Sequence, residues 1–67
     1  MAGHYNKIDA IRRRIEYRKT EVKDTIAEIN DLLEREEFDL AASRCHNLLA
    51  YCQGLRDDSN MLADLDE

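Results

Sequence analysis

The fold is decided at residues 32–41, which read LLEREEFDLA. Apolar residues keep a helical spacing on both sides of this stretch, but the phase of that spacing is reset inside it. Because the stretch contains neither glycine nor proline, the break must be a short turn of ordinary backbone. We therefore predict one all-α domain: a helix over about 5–35, a turn at about 36–38, a helix over about 39–58, and a tail, 59–67, that is helical or frayed.

An apolar stripe precedes the turn, with alternating spacings of three and four residues that are interrupted at Arg18 and Thr25. This spacing follows one face of an α-helix, which has 3.6 residues per turn. The stripe consists of Ile8, Ile11, Ile15, Val22, Ile29 and Leu32, and it is widened by Ile26 and Leu33.

A second stripe follows the turn at heptad spacing and consists of Phe38, Ala41, Cys45, Leu48, Cys52 and Leu55. We expect both cysteines to fill the core as small hydrophobes. On one helix they are seven residues and about 10.5 Å apart, at ~1.5 Å per residue, which is too far for an internal disulfide. Asp39 is the expected N-cap of this helix, and Gly54 is expected to end or kink it, since glycine weakens helices.

An antiparallel hairpin that turns near residue 37 pairs residues whose numbers sum to about 74. This register places apolar side chains opposite each other, for example Ile29 opposite Cys45. It also brings together segments of opposite charge, because residues 1–23 carry a net +4 and residues 24–67 a net −9. We expect the acidic tail to neutralise arginines of the first helix.

Two helices cannot cover a stripe this broad, since Ile26, Leu33, Leu49 and Tyr51 lie beside the seam. Such a stripe is typical of a helix that contacts two neighbours in a bundle. The sequence therefore predicts an antiparallel helical hairpin that pairs as a homodimeric four-helix bundle. The residues assigned to its dimer interface or core are Ile26, Leu33, Leu48 and Leu49.

The chain offers little for chemistry. Cys45 and Cys52 are two turns apart on a helix and His46 points roughly 100° away from Cys45, so no metal site is expected. A bare hairpin has no concave pocket for a catalytic base or an oxyanion site, and neither enzymatic activity nor a cofactor is expected. No apolar run approaches the ~18 residues of a membrane span, and the first residues lack a signal-peptide pattern, so a cytoplasmic location without membrane contact is the expectation.

The leading functional prediction is a small protein-interaction module of the adaptor, regulator, inhibitor or co-chaperone type, which binds itself and an unidentified protein. Aromatic and arginine side chains dominate binding energy at interfaces. The expected partner-binding residues are Tyr5, Arg13, Tyr17 and Tyr51.

The alternative is a helical dimer that binds nucleic acid, RNA more than DNA, through its basic first helix. Its candidate residues are Arg12, Arg13, Arg14, Arg18 and Lys19. The net charge of −5 opposes attraction to a phosphate backbone, so we favour the protein partner.

Overall fold

The computed structural model describes residues 6–65, which form a helical hairpin. Helix α1 spans Lys7–Glu34 and helix α2 spans Phe38–Leu65, with 28 residues each. The predicted all-helical hairpin is confirmed. Helix α2 continues through Gly54, where the sequence suggested an end or a kink.

Helix α1 begins with a side-chain cap. The Asn6 side chain accepts a hydrogen bond of 2.9 Å from the backbone N–H of Ile8, which satisfies one of the free amides at the helix start. Asp9 lies in the first turn, where its negative charge complements the positive end of the helix dipole.

The turn between the helices is a Schellman motif. The N–H of Glu37 donates to the carbonyl of Leu32 at 2.9 Å, and the N–H of Glu36 donates to the carbonyl of Leu33 at 3.1 Å. Glu36 has a φ of 60°, in the left-handed region where glycine is usual. The prediction that Asp39 caps α2 is wrong: the helix already begins at Phe38, and Asp39 lies in its first turn.

The core is a narrow seam between the helices. Its buried residues are Ile11, Thr25, Ile29 and Leu32 of α1 and Ala41 and Asp58 of α2. Leu48, Leu55 and Leu62 continue the seam as half-buried side chains.

The prediction that the cysteines fill the core is wrong, since Cys45 and Cys52 are both exposed. Tyr51 and Asp58 are half-buried and buried, so the inward edge of α2 lies on their side. Tyr51 and Cys52 follow the inward-facing Leu48 by three and four residues. Their side chains point about 100° apart, so only one of them can face α1. The rotation of α2 places Tyr51 toward the seam and Cys52 away from it.

Contacts across the seam confirm the predicted register, in which the numbers of facing residues sum to about 74. Asp58 pairs with Arg14 and with Arg18, and Arg44 pairs with Glu28; the residue numbers of these pairs sum to 72, 76 and 72. The acidic end of the chain therefore does meet the basic start of α1, at Asp58.

The hairpin is long and thin, about 54 × 19 × 13 Å. Its radius of gyration is 15.8 Å, against about 11 Å for a compact chain of this length. Each helix therefore buries one side only. Neither helix, over the residues the structure describes, has the length and apolarity to cross a membrane.

Candidate interaction surfaces

The hairpin has two broad faces, one on each side of the seam. One of them, here called the ion-paired face, is marked by the contacts that cross between the helices. Arg14 and Arg18 reach Asp58 near the open end, and the Nε of Arg44 lies 3.0 Å from the Oε2 of Glu28 nearer the turn. These ion pairs bridge the two helices on this face.

Asp58 is the centre of the ion-paired face. Its Oδ1 accepts a hydrogen bond from Nη2 of Arg14 and its Oδ2 accepts one from Nε of Arg18, both at 2.6 Å. The carboxylate is buried, whereas the side chains of Arg14 and Arg18 remain 53% and 31% exposed. The hydrogen bond from Arg14, followed by that from Arg18, lowers the pKa of Asp58 against the opposing effect of burial. The result is a charged clamp between the two helices.

Gly54 provides the space for this clamp. A Cβ atom at position 54 would lie 2.8 Å from Cζ of Arg18, so any other residue here would displace the guanidinium from its position against α2. Sequence reasoning treated Gly54 as a helix breaker and did not single out Asp58. The sequence signal that could have revealed the clamp is the spacing of its members. Gly54 and Asp58 are one turn apart on α2, and in the predicted register they lie opposite Arg14 and Arg18, which are one turn apart on α1.

The opposite side, here called the apolar face, carries large exposed hydrophobic side chains. On α1, the buried stripe separates Ile26 and Leu33 from Glu28, which lies on its other side. On α2, Cys45 and Leu49 likewise lie on the side away from Arg44. Since Glu28 and Arg44 pair on the ion-paired face, these four residues share the other face. The members of the apolar face are Ile26, Leu33, Phe38, Cys45, Leu49 and Cys52, and its four largest side chains, Ile26, Leu33, Phe38 and Leu49, are 44%, 47%, 60% and 57% exposed.

The predicted dimer residues fall on or beside this face. Ile26, Leu33 and Leu49 are exposed on it, and Leu48 is half-buried in the seam. The exposure of the first three is what an interface with another helix requires.

The predicted nucleic-acid residues do not form one unengaged patch. Arg14 and Arg18 bind Asp58, and Nζ of Lys19 lies 3.1 Å from Glu16. Arg12 and Arg13 are exposed. Carboxylates of the same chain thus engage three of the five basic side chains.

The predicted partner-binding residues are spread over the hairpin. Tyr17 is 67% exposed on α1, and Tyr51 is half-buried beside the seam. Arg13 is exposed two residues after buried Ile11, which places it on the back of α1. Tyr5 lies outside the described residues.

An open groove of about 490 Å³ lies between the helices at the open end, and it is lined by Lys7, Ala10, Ile11, Arg14, Met61, Asp64 and Leu65. Within residues 6–65, no cluster of three or more His, Cys, Asp or Glu side chains is arranged to hold a metal ion. The described surface thus has an ion-paired face and an apolar face.

No family model, curated protein or solved structure matches this chain.

Proposed function

We propose that this chain is a small non-catalytic protein-interaction module that first binds a second copy of itself, through the apolar face, as a homodimeric four-helix bundle. The observation that supports this is that exposed Ile26, Leu33, Phe38 and Leu49 lie together on one face, whereas the ion pairs that cross between the helices lie on the other. Contiguous exposed apolar surface on a soluble domain is typical of an interaction site.

The size of the exposed surface supports a partner. The chain exposes 5225 Å², whereas a folded monomer of 7.8 kDa exposes about 4,400 Å². The excess reflects the long, thin shape of the hairpin, in which each helix buries one side only. A chain this short also has a small core of its own, so a second hairpin would supply missing burial.

In this dimer the ion-paired face and the back of α1 stay accessible. Tyr17 and Arg13 would then serve contacts with an unidentified protein, in an adaptor, regulator, inhibitor or co-chaperone role. Both residue types are enriched among side chains that dominate binding energy.

Sedimentation of two matched variants tests the proposal. The unmodified chain should sediment at about twice 7.8 kDa at micromolar concentration. Leu49→Glu should shift it to monomer, because the new charge would be buried in the interface. Leu40→Glu is the control: Leu40 is 53% exposed, close to the 57% of Leu49, but it lies one turn from Arg44 on the ion-paired side. A helical monomer at high micromolar concentration, or equal effects of the two substitutions, would contradict the proposal.

Exposed Arg12 and Arg13 are the observation in favour of the nucleic-acid alternative. Titration with RNA and with DNA at two salt concentrations separates the two functions. Micromolar binding that weakens steeply with salt would support the alternative, since phosphate contacts release counterions. Absence of binding at low salt would remove it.

A further inference from the structure

We infer that the two copies pair antiparallel, with their turns at opposite ends and the two-fold axis crossing the apolar face at Cys45. This inference rests on the proposed homodimer. It adds the orientation of the second copy and the residue at the axis.

The extent of the apolar face locates the axis. On α2 the face runs from Phe38 to Cys52, 14 residues or about 21 Å, and Cys45 is its midpoint. In the observed register, Ile26 and Leu33 of α1 lie between these two levels. A two-fold axis through the midpoint lets each copy cover the whole apolar face of the other.

The charges at the two ends of the face set the orientation. Beyond its turn end, residues 34–39 carry four acids and one arginine, a net −3. Beyond its other end, the exposed basic residues on the same side of the hairpin are Lys19, Lys23 and Arg56. Lys19 already contacts Glu16, and Arg56 lies 4.0 Å from Asp57, but such exposed pairs between residues close in sequence are weak and exchangeable.

A face with opposite charges at its ends is self-complementary in one orientation. A two-fold axis perpendicular to the helices sets the acidic turn of each copy beside the basic end of the other. An axis parallel to the helices would instead set the two acidic turns side by side, where like charges repel. Electrostatics therefore selects the antiparallel pair.

This arrangement makes different predictions for the two exposed thiols. The Cys45 side chain should meet the partner's Cys45 at the axis. The two Cys52 side chains should be separated along the bundle by 14 residues, or about 21 Å, which is far beyond disulfide distance.

Disulfide trapping of single-cysteine variants tests the orientation. Diamide oxidises two thiols to a disulfide and takes up the two electrons and two protons as the hydrazine. Cys52→Ala, which keeps Cys45, should give a covalent dimer on a non-reducing gel; Cys45→Ala, which keeps Cys52, should stay monomeric on that gel. Because both thiols are exposed, the second variant also controls for random collisions.

Sedimentation of the unoxidised protein separates the possible failures. Trapping through Cys52, through both thiols equally or through neither, in a protein that sediments as a dimer, would overturn the antiparallel pair and leave the proposed function standing. A protein that sediments as a monomer would overturn both.

A charge reversal provides a second readout. Lys19→Glu with Lys23→Glu should weaken dimerisation about tenfold at low salt, as expected for a few exposed ion pairs. Adding Glu36→Lys and Glu37→Lys to the same chain should restore it, since the reversed ends again meet opposite charges. Failure of the second pair to restore the dimer would contradict the antiparallel arrangement.

Discussion

Arg18 and Asp58 are 40 residues apart in sequence, yet Nε of the arginine donates a hydrogen bond of 2.6 Å to Oδ2 of the aspartate across the two helices. This contact holds one side of α2 toward α1. As a result Tyr51 and Asp58 face the seam, and Cys45 and Cys52 are left on the outside. The rotation of α2 that leaves both thiols outside is thus the one in which Asp58 meets Arg14 and Arg18.

Asp58→Asn should lower the free energy of unfolding by about 2 kcal/mol, because it leaves two arginines together without their carboxylate. The loss should fall below the roughly 3–5 kcal/mol of a fully buried pair, since both guanidiniums reach water. Urea denaturation at one fixed protein concentration measures it. The neighbouring Asp57→Asn is the control: Asp57 is exposed, and its contact with Arg56 is 4.0 Å, so the change should stay within about 0.5 kcal/mol. Equal losses would show that the clamp does not contribute.

Acid should weaken the fold through the same carboxylate. The pKa of Asp58 is lowered in the folded state, so its contribution is present at neutral pH and is lost as the pH falls below about 4. Chemical denaturation at a series of pH values should show a steeper loss of stability for the unmodified chain than for Asp58→Asn. Parallel pH profiles would contradict the assigned role, since other carboxylates titrate in both proteins.

Gly54→Ala should give no gain in stability, although alanine in a helix interior usually stabilises by about 1 kcal/mol. The added methyl group would displace the guanidinium of Arg18 and weaken its hydrogen bond to Asp58. A double-mutant cycle tests this coupling. In an Arg18→Gln background the displacement is removed, so Gly54→Ala should recover most of the usual gain. The same gain in both backgrounds would refute the space-filling explanation.

Glu36→Gly should stabilise the hairpin by about 1 kcal/mol. Glu36 has a φ of 60°, a conformation that costs a residue with a Cβ atom roughly 1–2 kcal/mol, and glycine removes most of this cost while adding entropy to the unfolded chain. The midpoint of urea denaturation should rise. Arg35→Gly is the control, because Arg35 has a φ of −85° and no such strain to relieve; it should be neutral or destabilising. A fall in stability for Glu36→Gly would show that the Glu36 side chain makes a larger contribution than its backbone strain.

The sequence by itself determined the helices, the turn and the register. Apolar spacing is a local property, and a reset of phase within ten residues leaves a chain without proline few options other than a hairpin. The register followed from matching apolar positions and opposite charges along two long segments. The broad stripe also indicated that Ile26, Leu33 and Leu49 exceed what two helices can bury, and they are exposed.

Only the tertiary structure decided how α2 is rotated about its axis. Heptad spacing predicted Cys45 and Cys52 in the core. Residues three and four positions after a buried residue fit the same helical period almost equally well. Periodicity alone therefore cannot tell which of the two neighbouring sides of α2 is buried. The choice depends on contacts across the seam: two arginines on α1, a carboxylate on α2, and a glycine with no Cβ atom between them. Asp58 can bury its charge only where Arg14 and Arg18 reach it. The rotation of α2 that meets this condition leaves both thiols on the apolar face.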